Sequence, residues 1–254
     1  MYGHSAAGSG IVTSIHQLQR VTSHRDTGMI ECKALLFDLD GVLADSTASI
    51  ELHWRNWATF HVLDADAVLH QVHGRRAVDV IRAVAPHLNT EEEFRRLAAA
   101  EAEDTSGVTA LPGAVALLAR LPATQWAIVT SGTSTIARAR LAACGLPEPT
   151  VLIPAEILTR GKPDPEGYLS AATRLGVSPR DCVVIEDAPA GVAAAQAAGM
   201  RCVALTTTHR ASEVAVADWC VASLAALTIE VREDRAGAIT FALAHGLRDS
   251  VRVL

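Results

Sequence analysis

Carboxylate side chains follow two strongly apolar segments of this sequence. Asp38 and Asp40 come directly after the apolar run 34–37, and Glu186 and Asp187 follow a second apolar run later in the chain. A cluster of acids favours a hard cation such as Mg²⁺, and one carboxylate can attack as a nucleophile while another transfers protons. The spacing of Asp38 and Asp40 suits this division of work, because the residue between them points back into the sheet.

A hydroxyl, a backbone amide and an ammonium group occur at comparable points elsewhere in the chain. Ser131 and Gly132 follow another apolar run, and Lys162 lies in a loop just before a helix. Of the 22 basic residues only Lys33 and Lys162 are lysines, so a compact ammonium at this point is notable. Together with the acids, these groups are what phosphoryl transfer needs. Each of these residues could instead have only a structural role, as a helix cap or as a charge on the surface.

The elements that must position these groups alternate along the chain. Continuous apolar runs predict buried parallel strands, and amphipathic segments between them predict helices. This alternation predicts an α/β fold with a doubly wound parallel sheet, in which ligands bind beyond the carboxyl ends of the strands. The strands are predicted at 34–37, 126–130, 150–153, 182–185, 202–205 and 219–221, and the helices at 133–144, 165–175 and 189–198. The stretch 238–242 predicts an additional edge strand.

One segment interrupts the alternation. Residues 46–108 contain no convincing strand and predict a small all-helical insert after the first strand, which we call the cap. Its helices are predicted at 46–60, 64–71, 77–85 and 90–104. The division is therefore a core of residues 29–45 and 109–254, the cap, and a disordered leader at 1–28, where Gly, Ser, His and Thr are frequent.

The cap carries polar and aromatic side chains that are candidates to contact a substrate. We expect its polar loop 73–76, with His73, Gly74, Arg75 and Arg76, to face the cleft. Trp54 and Trp57 lie about one helical turn apart and can line one face, although packing inside the cap explains them equally well.

Four segments resemble the ordered motifs of the haloacid dehalogenase (HAD) superfamily, and the resemblance spans about residues 30–222. The four segments are 37–43, 129–132, 161–165 and 185–191. The resemblance implies a HAD-like Rossmannoid core with a helical cap. The most similar members are bacterial sugar phosphatases and the glycerol- and deoxyglucose-phosphate phosphatases.

The resemblance also implies a role for each residue. Asp38 would be the nucleophile and a metal ligand, and Asp40 would be the general acid/base, with its backbone carbonyl on Mg²⁺. Asp187, with Glu186 beside it, would complete the metal site.

For the phosphate, the same resemblance implies that Ser131 and the Gly132 amide hold it and that Lys162 bridges it to the nucleophile. The expected activity is therefore a Mg²⁺-dependent phosphatase that acts on sugar or polyol phosphates through a phospho-aspartyl intermediate.

Two other functions stay open. A β-phosphoglucomutase-type enzyme would carry a histidine where Ile50 stands and a lysine in the cap, and the cap has no lysine. A catalytically silent binding module would usually have lost a motif residue, and none is lost here. Dehalogenation is disfavoured because Asp40 is present.

Composition limits the partners and the location. The net charge of −6 argues against nucleic acid, and no apolar run reaches the roughly 18 residues of a membrane span. The five cysteines include no CxxC pair and predict free thiols in a reducing cytoplasm. We expect a monomer whose partner is a small phosphate monoester.

Overall fold

The computed structural model describes residues 29–231 and 239–243. The predicted leader, residues 1–28, lies outside the described residues. Within the described part, no helix combines the length and the apolar composition that crossing a membrane requires. The five cysteines all fall within this part and are free thiols, as the sequence predicts.

The described residues form eleven strands in three sheets. The strands are β1 (Met29–Cys32), β2 (Ala34–Phe37), β3 (Ala44–Asp45), β4 (Thr109–Ala110), β5 (Trp126–Val129), β6 (Leu152–Ile153), β7 (Cys182–Glu186), β8 (Arg201–Leu205), β9 (Trp219–Val221), β10 (Leu227–Val231) and β11 (Ile239–Leu243). Six of them make the main sheet, in the order β6-β5-β2-β7-β8-β9, with every pair parallel. The predicted α/β fold is confirmed, and the six predicted strands are the six of this sheet.

Eight α-helices accompany the strands in the described residues. They are α1 (Thr47–Phe60), α2 (Ala65–Leu69), α3 (Ala77–Val84), α4 (Thr90–Glu103), α5 (Ala114–Leu118), α6 (Ser134–Ala143), α7 (Glu166–Leu175) and α8 (Pro189–Ala197). Local signals mark several ends. The Thr133 side chain accepts a hydrogen bond from the Ile136 amide at the start of α6, and Gly176 ends α7 in the left-handed conformation.

The central strand β2 shows why the sheet is covered on both faces. All four of its residues are buried, and alternate side chains enter different apolar clusters. Leu35 and Phe37 pack on one face of the sheet, whereas Ala34 and Leu36 pack on the other. A strand buried on both faces needs a continuous apolar run, and this is the pattern that predicted it.

Helices α1–α4 lie between β3 and β4, and they agree with the four helices predicted for the cap. A separate apolar cluster that includes Trp54, Trp57, Val80, Ile81 and Leu97 packs these helices together. The two tryptophan rings meet edge to face, with centroids 5.5 Å apart. The short antiparallel pair of β3 and β4 joins the helices to the rest of the chain.

The C-terminal strand differs from the prediction. Residues 239–243 do form a strand, but β11 is the central strand of a separate antiparallel sheet, between β1 and β10, and is not an edge of the parallel sheet. The prediction missed β1 and β10 because their partner strand comes from the far end of the chain, and register across such a distance leaves no local signal.

Candidate active site

The carboxyl ends of β2 and β7 bring the first charged groups together. Lys162 donates a 2.7 Å hydrogen bond to Asp38 Oδ1 and a 2.6 Å hydrogen bond to Glu186 Oε1. The three side chains come from positions up to 148 residues apart in sequence, and each is at most 6% exposed. The sequence predicted acids and one ammonium at this edge of the sheet, but it did not predict that Asp38 and Glu186 share the ammonium.

Glu186 is fully buried and accepts four hydrogen bonds. Tyr168 donates its hydroxyl to Oε1 at 2.8 Å, beside the Lys162 ammonium. The amides of Asp187 and Ala188 donate to Oε2 at 2.8 and 3.1 Å. These contacts hold Glu186 in one orientation, so its carboxylate acts as a fixed anchor for Lys162.

Three carboxylates are close enough to hold a metal ion. Oxygen atoms of Asp38, Glu186 and Asp187 all lie within 4.8 Å of one another. Thr208 donates its hydroxyl to Asp187 Oδ2, whereas the buried Oδ1 of Asp187 has no hydrogen-bond partner among the described residues. A buried oxygen without a donor is costly unless something else satisfies it. This donor set of carboxylate oxygens fits a hard divalent cation.

The electrostatics of the cluster agree with that fit. Burial raises the pKa of Asp38 to about 7, against the opposing charge of Lys162. Burial, and then the charge of Glu186, raises the pKa of Asp187 well above its usual range. Burial alone would lower the pKa of Lys162, but Asp38 and Glu186 more than offset it and keep the ammonium charged. A divalent cation would relieve the crowding of negative charge.

Gly41 allows the backbone to pass close to this cluster. Its φ of +80° is in the left-handed region, and a Cβ on it would lie 2.2 Å from Asp187 Oδ2. Any other residue would therefore displace the Asp187 carboxylate as well as strain the backbone.

Asp40 lies beyond the end of β2, and one of its oxygens has two donors. Ser46 donates to Oδ1 at 2.6 Å, and the Arg140 guanidinium contacts the same oxygen at 2.7 Å. Arg140 also contacts Glu101 of the cap, at 2.6 Å, and its side chain is only 2% exposed. Asp40 is therefore held both by the first residue of the cap, Ser46, and by Arg140 of the core, which also contacts Glu101 of the cap.

The cluster borders a cavity that is lined by two of the three predicted phosphate-binding residues, while the third, Lys162, lines a smaller cavity that shares Ser131 with it. Ser131 and Gly132 line the larger cavity together with Asp38, Asp40 and Asp187.

The Ser131 hydroxyl and the Gly132 amide, which were predicted to bind phosphate, both donate hydrogen bonds to protein atoms in this structure. The Ser131 hydroxyl donates to the Gly74 carbonyl of the cap at 3.1 Å, and the Gly132 amide donates to the Thr130 hydroxyl at 3.0 Å. The Ser131 contact places the cap loop directly over the cluster.

The predicted cap residues divide into two groups. His73, Gly74, Arg75 and Trp54 line the cavity. Arg76 instead reaches the core, where its guanidinium donates to the carbonyl oxygens of residues 158 and 159 at 2.9 and 3.3 Å. The loop 73–76 therefore both faces the cluster and fastens the cap to the segment that precedes Lys162.

Sequence reasoning missed four side chains of the site: Thr208, Tyr168, Arg140 and Glu101. Thr208 follows the end of β8, so the rule that found Asp38 could have found it. Arg140 sits on the buried face of α6, and an arginine among apolar residues of a helix is a signal. Tyr168 and Glu101 leave no such mark, because their partners are distant in sequence.

Comparisons with known proteins agree with this geometry. Hexitol phosphatase A of Escherichia coli (strain K12) is 47% identical over 193 residues, which are 73% of this chain and 89% of that protein. Glycerol-1-phosphate phosphohydrolase 1 of Saccharomyces cerevisiae is 36% identical over 192 residues, 70% of this chain and 76% of that protein. The crystal structure of a hydrolase from Pseudomonas syringae has a TM-score of 0.65 at 27% identity and covers 76% of this chain and 94% of that one.

The model of one family matches residues 32–199, a range that runs from β1 past the end of α8 and contains all four of the motifs quoted above. The chain belongs to the haloacid dehalogenase-like hydrolase family.

Proposed function

We propose that this chain is a Mg²⁺-dependent phosphatase that hydrolyses small sugar or polyol phosphates through an aspartyl-phosphate intermediate on Asp38. The observation that carries the proposal is the contact between Lys162 and Asp38 beside the unpaired, buried oxygen of Asp187. It combines a fixed carboxylate, a buried ammonium and a free metal-ligand atom in one place.

In the proposed reaction, Asp38 attacks the phosphorus atom of the substrate. Lys162 occupies Oδ1, so Oδ2 is the oxygen that forms the new bond. The bond from phosphorus to the substrate oxygen breaks, and Asp40 gives its proton to that leaving oxygen. Asp40 then takes a proton from water, which attacks the aspartyl phosphate and releases inorganic phosphate with Asp38 restored.

The remaining groups bind and orient the phosphate. Ser131 and the Gly132 amide would exchange their present partners for phosphate oxygens, and Lys162 would neutralise charge between phosphate and Asp38. Asp38, the Asp40 carbonyl and Asp187 would hold Mg²⁺, with Glu186 beside them. A bound Mg²⁺ would stabilise negative charge on the transferring oxygens.

Residues 46–108 supply the cap in this proposal, and the cavity wall supports a small, polar substrate. Trp54 and Ile50 give it an apolar side, while His73 and Arg75 give it polar groups. The names of the relatives, a hexitol phosphatase and a glycerol-phosphate phosphohydrolase, support polyol phosphates as the class.

A mutase of the β-phosphoglucomutase type is the second candidate that the sequence left open. Ile50 lines the cavity where such an enzyme would need a histidine, and no lysine of the cap exists to assist it. We therefore place hydrolysis first. Incubation with β-glucose 1-phosphate separates the two, since a mutase yields glucose 6-phosphate and a phosphatase yields free phosphate.

A panel of monophosphates tests the substrate class. Hexitol, glycerol, hexose, pentose and nucleotide monophosphates are compared by kcat/KM, with Asp38→Asn as the inactive control. We expect a polyol or sugar phosphate to give the highest value. No phosphate release from any of them in the presence of Mg²⁺ would reject the function.

Three further properties belong to the same proposal. The five free cysteines support a reducing compartment, and we propose the cytoplasm. We also propose a monomer that binds neither nucleic acid nor membranes. Gel filtration with light scattering checks the oligomeric state.

A further inference from the structure

Arg140 is a buried cation on an otherwise apolar helix face. Ile136, Ala137 and Leu141 of α6 are buried on the same face, and the Arg140 side chain is 2% exposed. Burial of a guanidinium is unfavourable unless carboxylates compensate it. Its position therefore depends on its two partners, Asp40 and Glu101, at 2.7 and 2.6 Å.

The contact with Asp40 limits how that carboxylate can turn. Ser46 and Arg140 both donate to Oδ1, from the start of the cap and from α6. With Oδ1 held from two directions, Oδ2 remains as the oxygen that can exchange a proton with a substrate. A proton-transferring group works only within hydrogen-bond reach of its target, so its orientation affects the rate directly.

The contact with Glu101 makes this arrangement depend on the cap. Glu101 belongs to α4 of the cap, whereas Asp40 and Arg140 belong to the core. Glu101 holds one nitrogen of the guanidinium, Nη2, so that the other, Nη1, points at Asp40. The pair of contacts exists only when α4 is packed against α6.

We propose that Arg140 is a positioning residue that orients Asp40 for proton transfer, and that Glu101 completes the arrangement when the cap is docked. This role rests on the proposed phosphatase function, in which Asp40 is the general acid/base. Arg140 lines the same cavity as Asp40, but its two terminal nitrogens contact Asp40 and Glu101, so in this scheme it acts through Asp40 and not on the substrate.

The test compares Arg140→Met with Arg138→Met, two arginine variants of the same helix. Arg138 is exposed and pairs with Glu148 on the surface, so its loss should leave activity unchanged. With glycerol 1-phosphate and Mg²⁺, we expect Arg140→Met to lower kcat by at least about 100-fold, the contribution typical of a general acid/base. The KM should stay within about threefold of the parent value, because no substrate contact is lost.

A good leaving group provides a readout that a structural defect would not produce. The release of p-nitrophenolate needs no proton, so rapid mixing of Arg140→Met with p-nitrophenyl phosphate should still give a fast burst of product. The slow step should then be hydrolysis of the aspartyl phosphate, which needs Asp40 as a base. Loss of the burst in a folded variant would contradict the proposal.

Two further variants keep the test valid if Arg140→Met folds poorly. Arg140→Met with Glu101→Gln removes the buried carboxylate that would lose its cation and should show the same kinetics. Arg140→Lys keeps the charge and should recover part of kcat.

A double-mutant comparison tests whether Arg140 acts through Asp40. In an Asp40→Asn background, Arg140→Met should lower kcat by less than a further factor of about three, because the effects of residues that act as a unit are not additive.

The outcomes separate this role from the function on which it rests. A parent protein that releases no phosphate rejects both. An active parent in which Arg140→Met equals Arg138→Met, raises KM alone, or multiplies the defect of Asp40→Asn rejects the role of Arg140 and leaves the phosphatase intact.

Discussion

Arg76 connects the cap to the core, and its removal tests whether the docked cap is the active form. Its guanidinium donates to the carbonyl oxygens of residues 158 and 159, and Asp79 holds it from the cap side at 2.7 Å. The side chain is only 11% exposed, so water and salt screen these contacts little. The variant Arg76→Met removes the charge, both hydrogen bonds to the core and the two to Asp79, and it keeps most of the apolar stem.

The size of the effect follows from these contacts. One nitrogen makes one good hydrogen bond of 2.9 Å and one long one of 3.3 Å, so we count a single bond from a charged donor. Such a bond contributes about 1.5–3 kcal/mol. If the docked cap is required for binding, its loss should lower kcat/KM by about 10- to 100-fold, mostly through a higher KM.

Steady-state kinetics on the best substrate of the panel provide the assay, with Arg82→Met as the matched control. Arg82 lies on α3, the helix that begins directly after Arg76. It contacts the same Asp79 at 3.8 Å and is 66% exposed, so its loss should change kcat/KM by less than about twofold. Equal kcat/KM for Arg76→Met and Arg82→Met would refute the reasoning. Hydrogen exchange should show faster exchange in α3 of Arg76→Met alone.

Four other changes have expected results. Asp38→Asn should reduce turnover below about one-thousandth of the parent rate while circular dichroism stays unchanged, and substantial residual activity would refute the nucleophile. EDTA should abolish activity and Mg²⁺ restore it. Asp187→Asn should raise the Mg²⁺ concentration for half-maximal activity by at least about tenfold, and an unchanged requirement would exclude its oxygen as a ligand. Glu93→Gln weakens the buried bonds from Trp57 and His61, at 3.0 and 2.8 Å, and should lower the melting temperature by about 2–10 °C; an unchanged value would contradict it.

The sequence predicts the parts of this molecule that depend on local pattern. A strand buried on both faces needs a continuous apolar run, which is why the six strands of the main sheet were recognisable. Because parallel strands end at a common edge, the acids after β2 and β7 and the lysine before α7 could be expected to meet. The cap helices were visible from their periodicity and from the absence of strands.

The contacts that the sequence did not predict are made between residues that are far apart in sequence. Arg76 was expected to face the cleft with its neighbours, but it turns to carbonyl groups 82 positions away. The sequence of that loop does not indicate that Arg75 lines the cavity whereas Arg76 binds the core. The same holds for Glu101 and Arg140, which are 39 positions apart and meet only because α4 packs on α6.

The charges of the site explain why the core and the cap depend on each other. Two buried cations, Lys162 and Arg140, each contact two acidic side chains, so each of these sets has one acid in excess of its cation. In the first set the excess lies beside Asp187, where a divalent cation is expected. In the second it lies on Glu101, which the cap brings to the core. Saturating substrate can restore the docked cap in Arg76→Met, so that defect should appear mainly in KM. Loss of the metal would leave the Asp38 set uncompensated at any substrate concentration, so it should lower kcat, and the two defects should be separable in kinetics.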